Sequence, residues 1–308
     1  MTLVSRIAAV HGAFWASDPW YRFWWYVWPT SLAILVCGWI CVDGPRQNTP
    51  PASLAKPFPA SLPSGFLSRP GGSSWPGSGQ DQIARCLSNP DSIVSMQACN
   101  NLIALGQVRG PQLAQAYARR GFLRRETNPS LALADYDSAL RIQTSAEALT
   151  GRAWISMNRR EYDAALTDLG KAIDMSPAPT SAALARYYRG YALLRLGNYP
   201  QAQMDLDEAI RLQPDNADYY LARGEAQQGL KALDAALRDA EEFSRRAPED
   251  NRGLVLRGAV LEAMGKPREA LAAFESAVAL SPNDDYAVSE RDRLRAQKGS
   301  QGKGDPAR

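Results

Sequence analysis

The chain has 308 residues, room for two ordinary domains, and 45% of them are hydrophobic. Its 35 basic residues nearly balance 32 acidic ones, for a formal charge of +3 with no basic block, so nucleic-acid binding has no electrostatic support. One histidine and four cysteines leave acid–base catalysis and metal binding short of their usual side chains, so no metal, no cofactor and no enzymatic activity are expected.

Residues 1–22 form a short mixed tail with Arg6, Asp18, Arg22 and the lone His11, which has no partner for chemistry. Residues 23–42 read as a transmembrane anchor, because Trp24–Val42 is a nineteen-residue run without a charge. That length spans a hydrocarbon core of roughly 30 Å as a helix. Trp20, Trp24, Trp25 and Trp28 at one end and Trp39 near the other suit the membrane interface. A cleaved signal peptide competes with this reading, but Cys41-Val42-Asp43-Gly44-Pro45 makes a poor cleavage site. A lipoprotein is disfavoured by Val36 and Ile40 ahead of Cys37 and Cys41. Arg6 and Arg22 on one side face Arg46 and Lys56 on the other, so the positive-inside rule barely decides orientation. Arg22 against the span and Asp43 beyond it favour an inside N-terminus and repeats outside. Arginine in preference to lysine, with abundant alanine, suggests a bacterial source. The expected location is therefore the bacterial inner membrane, with the repeats in the periplasm.

Residues 43–80 are a Pro/Gly/Ser-rich linker, too poor in apolar side chains to fold and expected to be disordered. Residues 81–112 are a helical lead-in, with Asn89-Pro90-Asp91 as a helix start, a run to about Leu105 and a turn at Gly106–Pro111. Cys86 and Cys99 lie there, either as two buried thiols or, on an oxidising side of the membrane, as a structural disulfide.

Residues 113–282 repeat. Pro214, Pro248 and Pro282 step by 34 residues, as do Gly190, Gly224 and Gly258 and also Ala202, Ala236 and Ala270. The third unit shows the pattern in full with Gly190, Ala202, Leu206, Ala209 and Pro214. Small residues let two helices approach, Leu206 fills the space beside them, and the proline stops the second helix. Two earlier units are degenerate: Ala153, Ala165, Leu169, Ala172 and Pro177 in one, Gly121, Ala132, Tyr136 and Ala139 in the other. Residues 283–298 read as a charged capping helix and 299–308 as a disordered tail.

This pattern resembles the tetratricopeptide repeat, a 34-residue helix–turn–helix. The resemblance implies an all-α solenoid of about five units after the anchor and linker, and a bacterial membrane-anchored member of the family. It also implies that the first helix of each unit lines a concave groove for a protein or peptide partner. The two-cysteine segment likewise resembles the one that precedes the repeats in some exported bacterial proteins.

An arginine precedes the glycine position in every unit (Arg120, Arg152, Arg189, Arg223, Arg257), and four second helices carry Asp135, Asp168, Asp205 and Asp239. Such rows form either an internal ion-pair ladder or an anionic-ligand site, and the matching numbers favour the ladder. The groove positions carry Phe122, Trp154 and Tyr191 directly after the glycine position, with Tyr187, Met157 and Leu194 nearby. They form either an aromatic strip for an apolar peptide or packing against the next unit. Glu225, Asp218 and Glu262 would make an acidic far end suited to a basic partner. Ala118 and Phe122 stand where the family's carboxylate clamp has lysine and asparagine, so that activity is not implied. Three functions fit: a membrane-tethered scaffold or assembly factor, an accessory subunit docked through its aromatic N-terminus into a larger membrane complex, or a periplasmic cell-wall glycan binder. Beyond the partner, the contacts expected are the bilayer through one helix and other membrane subunits.

Overall fold

The computed structural model describes residues 79–175 and 177–301. Thirteen α-helices and no strand make up these residues. The lead-in contributes α1 Gly79–Ser88 and α2 Ser92–Ala104. The five units follow as α3 Gly110–Arg124 with α4 Pro129–Ile142, α5 Ala146–Asn158 with α6 Tyr162–Asp174, α7 Pro179–Arg195 with α8 Tyr199–Leu212, α9 Ala217–Gly229 with α10 Leu233–Arg246, and α11 Arg252–Ala263 with α12 Pro267–Leu280. Helix α13, Asp285–Gln301, packs on α12. No helix among the described residues is long and apolar enough to cross a membrane. The span expected over 23–42 and its tryptophans Trp20, Trp24, Trp25, Trp28 and Trp39 lie outside the described residues, as does the linker expected over 43–80 up to residue 78.

Local chemistry sets the helix ends. Asp91 Oδ1 accepts from the Ile93 and Val94 N–H groups, and Asn128, Ser145, Asn198 and Asn216 cap α4, α5, α8 and α9 in the same way. Helices α8, α10 and α12 each stop two residues before Pro214, Pro248 and Pro282. Between the helices of the later units the chain turns through a positive-φ residue at Gly197, Lys231 and Gly265.

Within a unit the helices meet at the glycine. A Cβ on Gly121 would touch Tyr136, one on Gly190 would touch Leu206 and one on Gly258 would touch Phe274. In the fourth unit the large side chain is replaced by Ala240, and Leu256 from the next unit fills the hole above Gly224. The first helices of successive units also pack on one another from α1 to α11, so they form one continuous layer.

The lead-in belongs to this stack. Cys86 and Cys99 are bonded, with Cα atoms 4.7 Å apart, at the place where the repeats have their glycine and large side chain. Ser95, Cys99 and Leu102, all buried, keep the spacing of Ala202, Leu206 and Ala209. Six helical hairpins therefore stack where sequence periodicity reveals five, because a covalent bond has replaced the apolar contact that carries the motif.

Candidate functional site

The arginine and aspartate rows are internal. Arg120, Arg152, Arg189 and Arg223 each grip the aspartate of their own unit through two N–H groups, at 2.6–3.0 Å from Asp135, Asp168, Asp205 and Asp239. Planar guanidinium suits this two-point contact. The aspartates are 3–6% exposed, so the row offers no free charge to an outside anion. The Arg152 and Arg223 guanidiniums are held charged well above their ordinary range, first by the bonds to Asp168 and Asp239.

A second row was not visible in the sequence. The remaining nitrogen of the same arginines reaches back to the preceding unit: Arg152 Nη1 donates to Asp137 at 2.9 Å and Arg223 Nη1 to Asp207 at 2.7 Å. Arg120 Nη1 donates to Asn100 on α2 at 3.1 Å, which puts the lead-in in register with the repeats. Arg257 has Ala273 in place of its own aspartate and only Glu241, 4.0 Å away, behind it. At the matching place behind Arg189 stands Gly170. Asp137, Asp207 and Glu241 stand two residues after three of the four aspartates, but the arginine that each faces lies in the next unit, so a row read within single units does not show the pairing.

The predicted groove is largely filled by the protein itself. Trp154, Met157, Leu194, Tyr187 and Glu225 are 3–6% exposed, which removes them from any surface a partner meets without rearrangement. Phe122, Tyr191, Asp218 and Glu262 are half-buried. The Arg125 guanidinium, 5% exposed, stacks 4.2 Å from the Phe122 ring centroid and 5.1 Å from that of Trp154. Tyr187 packs against Tyr219 of the next unit at 4.9 Å, and burial first of all pushes its hydroxyl pKa well up. The strip is thus packing between units for Trp154 and Tyr187, while Phe122 and Tyr191 keep partly open faces.

The acidic far end is not free either. Arg195 Nη2 donates to Glu225 at 3.1 Å, Arg252 Nη2 to Asp218 at 2.8 Å and Arg293 Nη2 to Glu262 at 2.6 Å. Arg195 and Arg252 come from first-layer helices of neighbouring units and Arg293 from the capping helix α13, so these pairs tie successive elements of the stack together. The charge pattern that favoured a basic partner is satisfied inside the chain.

Two family models match the later units: a TPR repeat over residues 190–231 and a tetratricopeptide repeat over 215–285. The match to tetratricopeptide repeats thus covers residues 190–285. The helical array is similar in fold to a chain of the APC/C hetero-tetramer Cut9–Hcn1, with TM-score 0.61 and 16% identity over 70% of this chain and 42% of that one. It is also similar to Pseudomonas aeruginosa PilF, with TM-score 0.58 and 16% identity over 71% and 97%. A third match is YrrB, described as a TPR protein with an unusual peptide-binding site, at TM-score 0.51 and 20% identity over 64% and 99%. These likenesses establish the fold. Among curated proteins, Small glutamine-rich tetratricopeptide repeat-containing protein 2 of Saccharomyces cerevisiae is 34% identical over 109 residues, 33% of this chain and 32% of its own length. The DnaJ homolog subfamily C member 7 homolog of Schizosaccharomyces pombe is 29% identical over 166 residues, 50% of this chain and 35% of its own length. The chain thus spans about a third of either relative, and the likeness is one of repeats.

Proposed function

We propose that this chain is a protein-interaction scaffold whose tetratricopeptide array holds a protein or peptide partner beside a bacterial inner membrane. The observation that carries the proposal is the continuous first-helix layer, which presents the half-buried Phe122 and Tyr191 along one face of a rigid stack. Tethering through residues 23–42 draws its support from the charge-free run Trp24–Val42. The Cys86–Cys99 bond supports a periplasmic array, since such bonds persist in oxidising compartments. Affinity purification of the tagged chain from membranes in mild detergent should retain a specific partner that a Phe122→Ala/Tyr191→Ala double variant loses. Recovery of the chain in the soluble fraction with no partner would defeat the scaffold at the membrane.

A second reading is favoured by one further observation. Six of the eight tryptophans lie within the first 39 residues, more than one anchor uses at its interfaces. On that reading the N-terminus docks into a larger membrane complex and the array is its accessory subunit. Replacing residues 1–42 with an unrelated anchor separates the two: the scaffold keeps its partners and the docked subunit loses them.

A further inference from the structure

Among the described residues, every arginine that is not exposed has a carboxylate at 4.0 Å or closer, with one exception. The exception is Arg119 on α3, one turn before the half-buried Phe122. Its Nε donates to Ser95 Oγ and its Nη2 to the Asn89 carbonyl oxygen, both at 3.3 Å and both uncharged acceptors from the lead-in. Its Nη1 has no protein partner among the described residues. Burial pulls the pKa of this guanidinium below its ordinary value.

The imbalance extends to its neighbours. Asp135 serves both Arg120 and Arg124, and Glu126 meets Arg125 at 3.6 Å, so four guanidiniums with Arg119 face two carboxylates. Arg119 and Arg125 bring their guanidinium carbons to 5.3 and 4.2 Å from the Phe122 ring centroid. The Tyr136 hydroxyl, within electrostatic reach of both arginines, is buried and has no hydrogen-bond partner. Charged donors therefore outnumber charged acceptors around this ring.

The lead-in holds the arrangement still. Ser95 Oγ donates to the Cys86 carbonyl oxygen at 2.6 Å, in the hairpin closed by the Cys86–Cys99 bond. Its lone pair is thereby turned toward Arg119 Nε, and the guanidinium is oriented before any ligand arrives. Farther along the groove the acids Asp218, Glu225 and Glu262 are already paired, so the charge left to offer a partner is positive.

Given the scaffold reading, we propose that Arg119 and Phe122 take up an aspartate or glutamate side chain of the partner together with an apolar residue next to it. The carboxylate completes the guanidinium, and the apolar group covers the open part of the ring. Residues 44–80 contain no aspartate or glutamate, so the segment that leads into α1 cannot fill the site and the acid comes from the partner. This is not the family's carboxylate clamp, whose lysine and asparagine are replaced by Ala118 and Phe122, and it draws Ser95 and Asn89 from outside the repeats.

The test uses the full-length chain in detergent and short peptides of random sequence, arrayed with amidated and with free C-termini. Binders should be enriched in aspartate or glutamate next to an apolar residue, whichever terminus they carry. For the tightest of them, followed by fluorescence anisotropy, exchanging that acid for its amide should raise Kd about tenfold. Arg119→Gln should weaken binding equally, and both changes together no more than either alone, because they remove one contact. Arg119→Lys keeps the charge and should keep the preference for acid. Binders from the unaltered chain without that preference overturn the site with no variant needed, and additive losses overturn it too. Binders confined to free C-termini would point to a terminal carboxylate and overturn the side-chain assignment. In each of these cases Phe122→Ala/Tyr191→Ala still reports whether the array holds peptides, so the scaffold reading is judged apart. An unaltered chain that binds no peptide defeats both.

Discussion

Gly190 on α7 and Leu206 on α8 meet so closely that a methyl group on the glycine would lie 2.9 Å from the leucine Cγ and 3.2 Å from the Ala202 carbonyl oxygen. The carbonyl is backbone and cannot move aside, and the leucine is fully buried. Gly190→Ala therefore incurs an overpacking cost of about 1–3 kcal/mol, set against a helix-propensity gain of about 1 kcal/mol. A lowered urea midpoint is the expected result, and a raised one would show that the two helices separate without cost.

Gly170 is the opposite case. A Cβ there meets nothing within 4 Å, and the position is the one vacant rung behind Arg189. Gly170→Asp should recreate the bond that Asp137 makes with Arg152 and Asp207 makes with Arg223. The exposed pair adds roughly 0.2–1 kcal/mol, and removal of a helical glycine adds a few tenths more. Gly170→Val, whose helix propensity is close to that of aspartate and whose side chain accepts no hydrogen bond, supplies the second term alone, so the difference between the two variants in thermal unfolding isolates the pair. Equal midpoints would mean that Arg189 does not reach back.

The disulfide closes a loop between residues 13 apart in sequence. In the chain-entropy model such a closure is worth about 3 kcal/mol, here spent on a hairpin with a small core of Cys86, Ala98, Cys99, Leu102, Val108 and Ala116. Because stacked units depend on their neighbours alone, Cys86→Ala/Cys99→Ala should raise hydrogen exchange over residues 79–108 far more than over α7–α12. In the unaltered chain, alkylation without reductant should leave both cysteines unlabelled. Full labelling of Cys86 and Cys99 in folded protein would rule the bond out.

Trp154 separates packing from recognition. It is 3% exposed, lies under the Arg125 guanidinium and belongs to the largest core cluster. Trp154→Ala should cost about 3–5 kcal/mol of stability, with loss of partner capture following the loss of folded protein. Phe122→Ala and Tyr191→Ala, at half-buried positions, should instead weaken capture while most of the fold survives. Circular dichroism melts beside the same pull-down distinguish the outcomes. A Trp154→Ala chain that melts like the unaltered one would return this residue to the binding face.

The sequence by itself determined the repeat. Gly190, Leu206 and Pro214 recur because two helices that cross closely need a hole, a knob and a stop at fixed intervals, and a fixed interval is visible in one dimension. The pairing of Arg152 with Asp168 was legible for the same reason, since both ends lie in one unit at constant spacing. Only the tertiary structure decided what happens between units. The covering of Trp154, Tyr187 and Glu225 follows from how far each first helix sits from the next, a distance that no residue within one unit encodes. The second partners of Arg120, Arg152 and Arg223, the seat of Cys86–Cys99 at the glycine contact and the single bond of Glu225 are likewise relations across a junction. Periodicity fixes what each unit is made of, while the faces that remain open depend on the stacking of neighbours.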